Sequence, residues 1–487
     1  YLTLDAIALG EGIARGDFSA LEVNQCAVER AQEINPVLNA IVHEGYDAAL
    51  ARVKAASPNN SSPLAGVPFL IKDLSPAAGL PACFGSALFK DFIAQNNAKI
   101  VQRYVDAGLN ILGKTNTPEW GLTLTTEPVL TGACRNPWQL THSTGGSSGG
   151  AAAAVAAGIV PAAHASDGGG SIRIPAANCG LFGLKPSRGL TTIEGTLAEC
   201  WSGLSVGHVV SQTVRDSAAF LDLITLTTHD LFANPLVAQQ TVGTNPSFSD
   251  ALKQAPPAKL RIALVTTHPT GELIDTEVLA GVRAAGKLLE SLGHSVEEQP
   301  HPADHSRAAS AMSKIIGTHV LQSIQPRLDS LGLSLDEAPV ELSTKVMAKG
   351  GAKVTASDYV KARDSLRRLE LAMHAFHQTV DIIVSPVLSK PPAPLGWLNM
   401  NSTDLKDYAA KFSQYSGFTA FYNGTGAPSM SVPLHSTSTG LPIGIQMSAD
   451  WGQDALRLPD SNLQNQRELL GFSLLFFYFF DFVSLVL

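Results

Sequence analysis

The segment GGSSGGAAAAVAAGIVPAAHASDGGGSIRIPAANCG, residues 145–180, carries two serine-bearing glycine clusters on either side of a run of small apolar residues. Residues 149–158 have no polar face, so they are expected to form a helix buried on every side. A short extended stretch then leads into a second glycine loop, Gly168, Gly169 and Gly170, closed by Ser171. Three consecutive glycines allow backbone angles closed to other residues, so successive N–H groups can converge on one point. Such a convergence is an oxyanion hole, and a serine at its exit is placed to attack a carbonyl. A tight turn accounts for one or two of these glycines, but not for three and a serine.

An attacking serine needs a base. Lysine can serve where burial keeps its amine uncharged, and Ser–Lys pairs are a convergent solution to that need. Lys72 ends the apolar stretch GVPFLIKDL, residues 66–74, which reads as a strand. Its amine must therefore be either desolvated or paired with Asp73. On this segment alone the ordinary ion pair is the simpler reading.

The wider chain supports a large globular enzyme. It has 487 residues, 45% of them hydrophobic and 16% charged, enough to bury a sizeable core. A formal charge of −8 argues against nucleic acid as a partner, since such binders carry a basic face. The cysteines Cys26, Cys83, Cys134, Cys179 and Cys200 are odd in number and lack C-x-x-C spacing, which suits reduced, mostly buried thiols in the cytoplasm. Helical periodicity covers residues 4–15, 20–34 and 46–56, with a strand at 110–113. Further on, a strand at 260–267, a helix at 275–292 and the segment HSVEEQ form a strand–helix–strand unit. A charged helix at 356–378, capped by Thr355 or Ser357, precedes a strand at 380–387. Residues 228–259 read as an excursion or linker. This alternation implies an α/β fold, a central sheet with helices on both faces.

Three other patterns compete. Residues 108–115, GLNILGKT, match the phosphate-loop formula letter for letter, but the LNIL spacer reads as a buried strand rather than a flexible cradle, so the match is coincidental. Residues 145–149 fit G-x-S-x-G, the nucleophile elbow of Ser-His-Asp hydrolases. That motif needs a strand immediately before it, and NPWQLTHSTGG reads as a loop. His142, His164 and His208 would be its candidate bases. Finally, His294, His301 and His305 with Glu297, Glu298 and Asp304 lack zinc-site spacing and read as solvated surface.

Taken together, these residues resemble the amidase signature family, amide hydrolases with a Ser–cis-Ser–Lys triad. The similarity covers residues 2–454. It includes LAGVPFLIKDL around the lysine, GKTNTPEWGL, RNPW, GHVVSQTVRD and the late segments NGTGAPSMSVPL and GLPIGIQ, all in family order. The resemblance implies Ser171 as nucleophile, Ser147 as the bridging serine after a cis peptide at Gly146–Ser147, and Lys72 as base. It implies backbone donors at Gly168, Gly169 and Gly170, and no cofactor or metal. Ser148 is expected to orient its neighbour, Asp167 and Arg173 to fix the loop, with Arg173 also open to an anionic substrate, and Cys179 to be core. Several family members have GTDTGGSIR where this chain has ASDGGGSIR, so Gly168 replaces a larger residue and is expected to loosen the loop. Local sequence looks closest to 6-aminohexanoate-cyclic-dimer hydrolases, with substrate contacts expected from residues 191–207 and 310–342.

One domain is expected over residues 1–454, with its catalytic core at about 60–220. Expected partners are a small-molecule amide and, at most, a second copy of the chain as a homodimer. The alternatives are an amidotransferase A-type subunit, a Ser-His-Asp hydrolase and a non-catalytic copy. Residues 455–487 depart from the resemblance. Their apolar end reads first as an altered reading frame, then as a membrane anchor, then as a buried helix.

Overall fold

Apolar residues alternate along the strands of the larger sheet, and that alternation sets the architecture. A computed structural model describes residues 1–55, 62–191, 200–225, 247–252, 259–302 and 304–454. Its strands in chain order are β1 (Ile41–Glu44), β2 (Pro68–Lys72), β3 (Asn110–Thr115), β4 (Arg135–Asn136), β5 (Gln139–Ser143), β6 (Ala162–Asp167) and β7 (Phe182–Lys185). They continue with β8 (Val206–Ser211), β9 (Arg261–Leu264), β10 (Ser295–Glu298), β11 (Ile382–Pro386), β12 (Ser429–Ser436) and β13 (Pro442–Ser448).

Eight strands form one mixed sheet in the order β10-β9-β11-β13-β12-β7-β8-β6. The β9 strand runs parallel to β10 and β11, and the remaining pairings are antiparallel. Ile262, Leu264, Ile382, Val384, Ile445 and Met447 face the helices Val214–Ile224 and Thr276–Ser291. Their strand neighbours Ala263 and Ile383 face the helices His305–Leu331, Ala356–Phe376 and Ala420–Thr425. Period-two alternation thus sends successive side chains into two separate cores, as a sheet covered on both faces requires. The α/β expectation holds.

Most helices and strands fall where the periodicity put them. The helix expected at 20–34 continues to Leu38 through Pro36, and Thr355 caps the helix Ala356–Phe376 in a reciprocal box with Asp358. One expectation fails: the segment before the first serine cluster is not all loop. Residues Gln139–Ser143 form β5, which pairs with β4 and bridges Pro394 through His142, and Gln139, Leu140 and Thr141 are exposed. It is a surface ribbon, not the buried sheet strand that a nucleophile elbow needs. The supposed linker at 228–259 and the tail at 455–487 lie for the most part outside the described residues. Among the described residues no helix is long and apolar enough to cross a membrane.

Two features position the site. The first is the helix Gly149–Ala156, buried throughout its first seven residues. A Cβ at Gly150 would stand 2.3 Å from the Asn116 backbone nitrogen and 2.5 Å from the Ala40 carbonyl oxygen. The helix therefore seats directly on main chain, and the obstacle to a side chain is rigid.

The second feature is a fully buried ion pair. Asp167, at the end of β6, accepts from Arg173 Nη2 at 2.8 Å and Nε at 2.9 Å. Arg173 also donates to the Thr419 carbonyl oxygen, Asn423 Oδ1 and Gln446 Oε1. One guanidinium thus joins the glycine loop, strand β13 and the helix Ala420–Thr425. With no exposed surface and its donors spent internally, Arg173 does not meet a substrate anion. Burial alone would push the Asp167 carboxyl up, but the Arg173 charge and the hydrogen bonds it receives outweigh burial and hold it well below its ordinary 3.8.

Two stability tests follow from these contacts. Replacing Gly150 with Ala should cost about 2–3 kcal/mol or prevent folding, because backbone must shift. Gly350→Ala, with nothing within 4 Å of the new Cβ, should leave stability unchanged or raise it by up to about 1 kcal/mol; denaturant titration of both variants checks the contrast. Asp167→Asn should lose about 3–5 kcal/mol at neutral pH by stranding a buried guanidinium. Because the carboxyl is depressed in the folded state, that stabilisation is present above the ordinary 3.8 and fades as pH falls below it. Unfolding midpoints of wild type and Asp167→Asn should therefore converge under acid and diverge toward neutrality.

Candidate active site

The site forms where three segments meet: the end of β2, the loop before the helix Gly149–Ala156, and the loop between β6 and the helix Arg173–Cys179. Lys72 is completely buried, with Nζ 2.7 Å from Ser147 Oγ and 3.0 Å from Ser166 Oγ. It also lies 3.4 Å from the Ser166 carbonyl oxygen. Asp73 is engaged by other groups. Lys114 donates to Asp73 Oδ1 at 2.9 Å, and His43 approaches the other oxygen. Desolvation pushes the Asp73 carboxyl up, but Lys114 and His43 more than offset it and hold it below its usual range. The strand register explains the division. Ile71 pairs with Lys114 and Lys72 with Thr115 across β2 and β3. Side chains on a strand alternate faces, so Asp73 returns to the Lys114 side while Lys72 points the other way. The phosphate-loop lookalike is therefore strand β3, and its lysine is committed to an ion pair.

The peptide Gly146–Ser147 is cis. A Cβ at Gly146 would fall 2.6 Å from the Thr125 carbonyl oxygen, so only glycine fits before the serine. Ser148 ties the loops together. Its N–H donates to the Ser171 carbonyl oxygen at 3.3 Å, and its hydroxyl bridges the Ser166 carbonyl and N–H. Ser147 and Ser171 line one cavity of about 520 Å³ together with Ser166 and Gly168. The Ser171 hydroxyl makes no hydrogen bond among the described residues.

The glycine loop departs from expectation in two ways. The Gly170 N–H donates to Asp167 Oδ1 at 2.7 Å, so it is not free to hold an oxyanion. The amides of Gly168, Gly169 and Ser171 have no acceptor among the described residues and are the donors left for that task. Nor does Gly168 loosen the loop. A Cβ there would lie 2.6 Å from the ring of Trp201, which fills the space a side chain would take.

Ser166 is a member of this group that sequence reasoning missed. Its signal was the period of β6, which sends His164 and Ser166 to the same face as the Lys72 strand; His164 Nδ1 takes the Lys72 backbone N–H at 3.3 Å. The cavity walls at Cys200, Trp201, Ser205, His319, Gln322, Ser323 and Pro326 lie within the regions expected to contact substrate. The aromatic walls Phe84, Phe89, Phe92 and Trp120 were not anticipated. Phe84, Trp120 and Trp201 have φ of 57, 51 and 52°, a left-handed conformation that costs a bulky residue about 1–2 kcal/mol.

Other candidates disperse. His142 and His208 hydrogen-bond to Thr141 and Ser217, and burial pushes His208 down to about 3. Burial pushes the Cys179 thiol well up, which suits its place in the core. His301 and His305 are not solvated surface. They pack against Phe421, with His305 Nε2 2.8 Å from His301 Nδ1, and His301 reaches Tyr422 OH. His43, Asp73 and Cys83 bring ligand atoms within 4.8 Å of one another, but the Lys114 ammonium on Asp73 opposes a cation there.

Comparison with known proteins agrees with this arrangement. The Amidase family model matches residues 22–458. The chain is 33% identical to a putative amidase of Mycobacterium tuberculosis, covering 93% of this chain and 92% of that protein. It is 32% identical to the 6-aminohexanoate-cyclic-dimer hydrolase of Paenarthrobacter ureafaciens, again over 93% and 92%. The solved structure of a 6-aminohexanoate cyclic dimer hydrolase superposes with a TM-score of 0.84 at 30% identity, covering 97% of this chain and 96% of the other. With the family model over most of the chain and relatives matched along nearly their whole length, the chain belongs to the amidase signature family and is an amidase, a hydrolase of carbon–nitrogen bonds.

Proposed function

We propose that Ser171, Ser147 and Lys72 carry out this hydrolysis through an acyl-enzyme. The observation that carries the reading is the 2.7 Å separation of Lys72 Nζ from Ser147 Oγ, deep in the protein and beside the cavity that Ser171 lines. Lys72 takes the role of base, as a neutral amine. Its hydrogen-bonding neighbours Ser147 and Ser166 are uncharged, and an amine removed from water is easier to hold neutral.

The Ser171 hydroxyl attacks the amide carbon as its proton passes to Ser147, whose own proton passes to Lys72. The carbonyl oxygen becomes an oxyanion held by the N–H groups of Gly168, Gly169 and Ser171. Collapse breaks the C–N bond, and the proton returns through Ser147 to the departing amine. Water then attacks the Ser171 ester as its proton passes to the same relay; the bond to Ser171 Oγ breaks, the relay returns that proton to Oγ, and the carboxylic acid leaves. Asp167 keeps the loop in shape by holding the Gly170 amide and Arg173.

The substrate is a small carboxylic amide. The cyclic dimer of 6-aminohexanoate is the amide that the names of a relative and of a solved structure carry, and linear and cyclic aminohexanoate-type amides are the class we propose. Free thiols among the described residues, three of the five buried, suit a cytoplasmic enzyme.

Ser171→Ala and Lys72→Ala should each lower kcat by at least about 10³-fold, as groups acting as a unit do, while circular dichroism stays unchanged. A fluorophosphonate probe should label wild type and fail on Ser171→Ala. Activity that persists without Lys72 but disappears in His164→Ala would replace this relay with a histidine base.

A further inference from the structure

The cavity beside Ser171 is walled by aromatic side chains, with no charged side chain among its described lining residues. Among the described residues its lining contains no Asp, Glu, Lys or Arg; its polar members are hydroxyls, amides, a thiol and His319. Phe84 and Trp120 stack with ring centroids 4.8 Å apart and planes 7° from parallel. Phe89 meets both edge-on, at 5.3 and 5.4 Å. This is a rigid aromatic wall, locked further by the Trp120 N–H on the Phe84 carbonyl.

Trp201 forms another part of the lining, directly over the glycine loop. Its ring occupies the volume that any side chain at 168 would need. The next residue, Ser202, is also left-handed, with φ 54°, and its hydroxyl bonds Tyr359, which in turn lies 2.9 Å from His319 Nε2. Asn39, Phe84, Trp120, Trp201 and Ser202 are the non-glycine residues with positive φ among those described. Three of the five are aromatic members of this one cavity, and a fourth adjoins Trp201. Strained backbone concentrates where function over-determines the structure. A core that needed only bulk would place these rings from relaxed backbone.

We propose that this amidase selects uncharged amides bearing a planar aryl group, and that Trp201, admitted by glycine at position 168, is its specificity-determining residue. The proposal rests on the reading of Ser171 as nucleophile. A charge brought into this cavity loses its water and meets no opposite charge among the described lining residues. A flat ring, by contrast, finds aromatic faces and edges on which to pack.

The test compares kcat/KM for benzamide, cyclohexanecarboxamide, 4-carboxybenzamide, 4-(aminomethyl)benzamide and the neutral cyclic 6-aminohexanoate dimer, with fluorophosphonate labelling of each preparation as a control. Benzamide should exceed both charged analogues by at least about ten-fold, since neither charge finds a partner. It should also exceed the two neutral, non-aromatic substrates by several-fold. Trp201→Ala should reduce kcat/KM for benzamide by about ten-fold, chiefly through KM, and narrow its lead over cyclohexanecarboxamide. Trp201→Phe should keep most of that lead. Gly168→Thr should act like Trp201→Ala, because the new side chain displaces the indole.

A wild-type enzyme that labels at Ser171 yet turns over charged or aliphatic amides as well as benzamide overturns the proposal, whether or not the variants fold. Equal losses on every substrate in Trp201→Phe would make Trp201 structural and overturn its assigned role. Failure of wild type to label at all strikes instead at the Ser171 mechanism.

Discussion

The buried pairing of Asp167 with Arg173 is the constraint on which the site depends. A carboxylate and a guanidinium fully removed from water are tolerated only when each lone pair and proton finds a partner. Here the partners come from the glycine loop, the Thr419 carbonyl, Asn423, and Gln446 on β13. Satisfying the pair therefore fixes the loop against parts of the chain some 250 residues away in sequence. It also removes the Gly170 amide from the pool of donors, so three glycines in a row yield two usable N–H groups, supplemented by that of Ser171. The same carboxylate that shapes the oxyanion loop thus limits how many donors it can present.

How far the sequence revealed this depends on the range of each contact. Ser147, Ser171 and Lys72 were legible because each sits in a short segment whose composition is unusual: serine among glycines, or lysine at the end of an apolar strand. Ser166 could have been found from the alternation of β6 once β2 was known to lie beside it, but no local feature marks it. The aromatic wall was invisible because Phe84, Phe89, Trp120 and Trp201 come from separate loops, and a lone aromatic in a loop looks the same whether it fills a core or lines a cavity. The use of Gly170 was misread for the opposite reason. A glycine signals permissive backbone, not which acceptor its N–H will meet. His301 and His305 looked solvated because their neighbours are polar in sequence, yet Phe421 and Tyr422 cover them in space.

Gly168 and Trp201 show how a departure from a family pattern can be compensated rather than tolerated. Removing a side chain from the loop would leave a void beside the nucleophile, and voids in packed interiors are costly. Trp201 fills it from another segment, at the expense of a left-handed backbone. Asp167 thus anchors the glycine loop from one side, while Trp201 packs over it from the other.

A similar division places two of the buried lysines, Lys72 and Lys114. Both are completely enclosed, and Lys114 sits beside Asp73 while Lys72 meets Ser147 and Ser166, because adjacent strand positions face opposite ways. Were Asp73 to reach Lys72, the amine would be held as an ammonium and could not accept a proton. Lys114 prevents this by engaging Asp73 from the next strand, and the charge of each is cancelled where no chemistry occurs. Lys72 Nζ meets the hydroxyls of Ser147 and Ser166 and the Ser166 carbonyl oxygen. On the proposed mechanism, a base at position 72 therefore draws on a second lysine, placed one strand over, that engages Asp73.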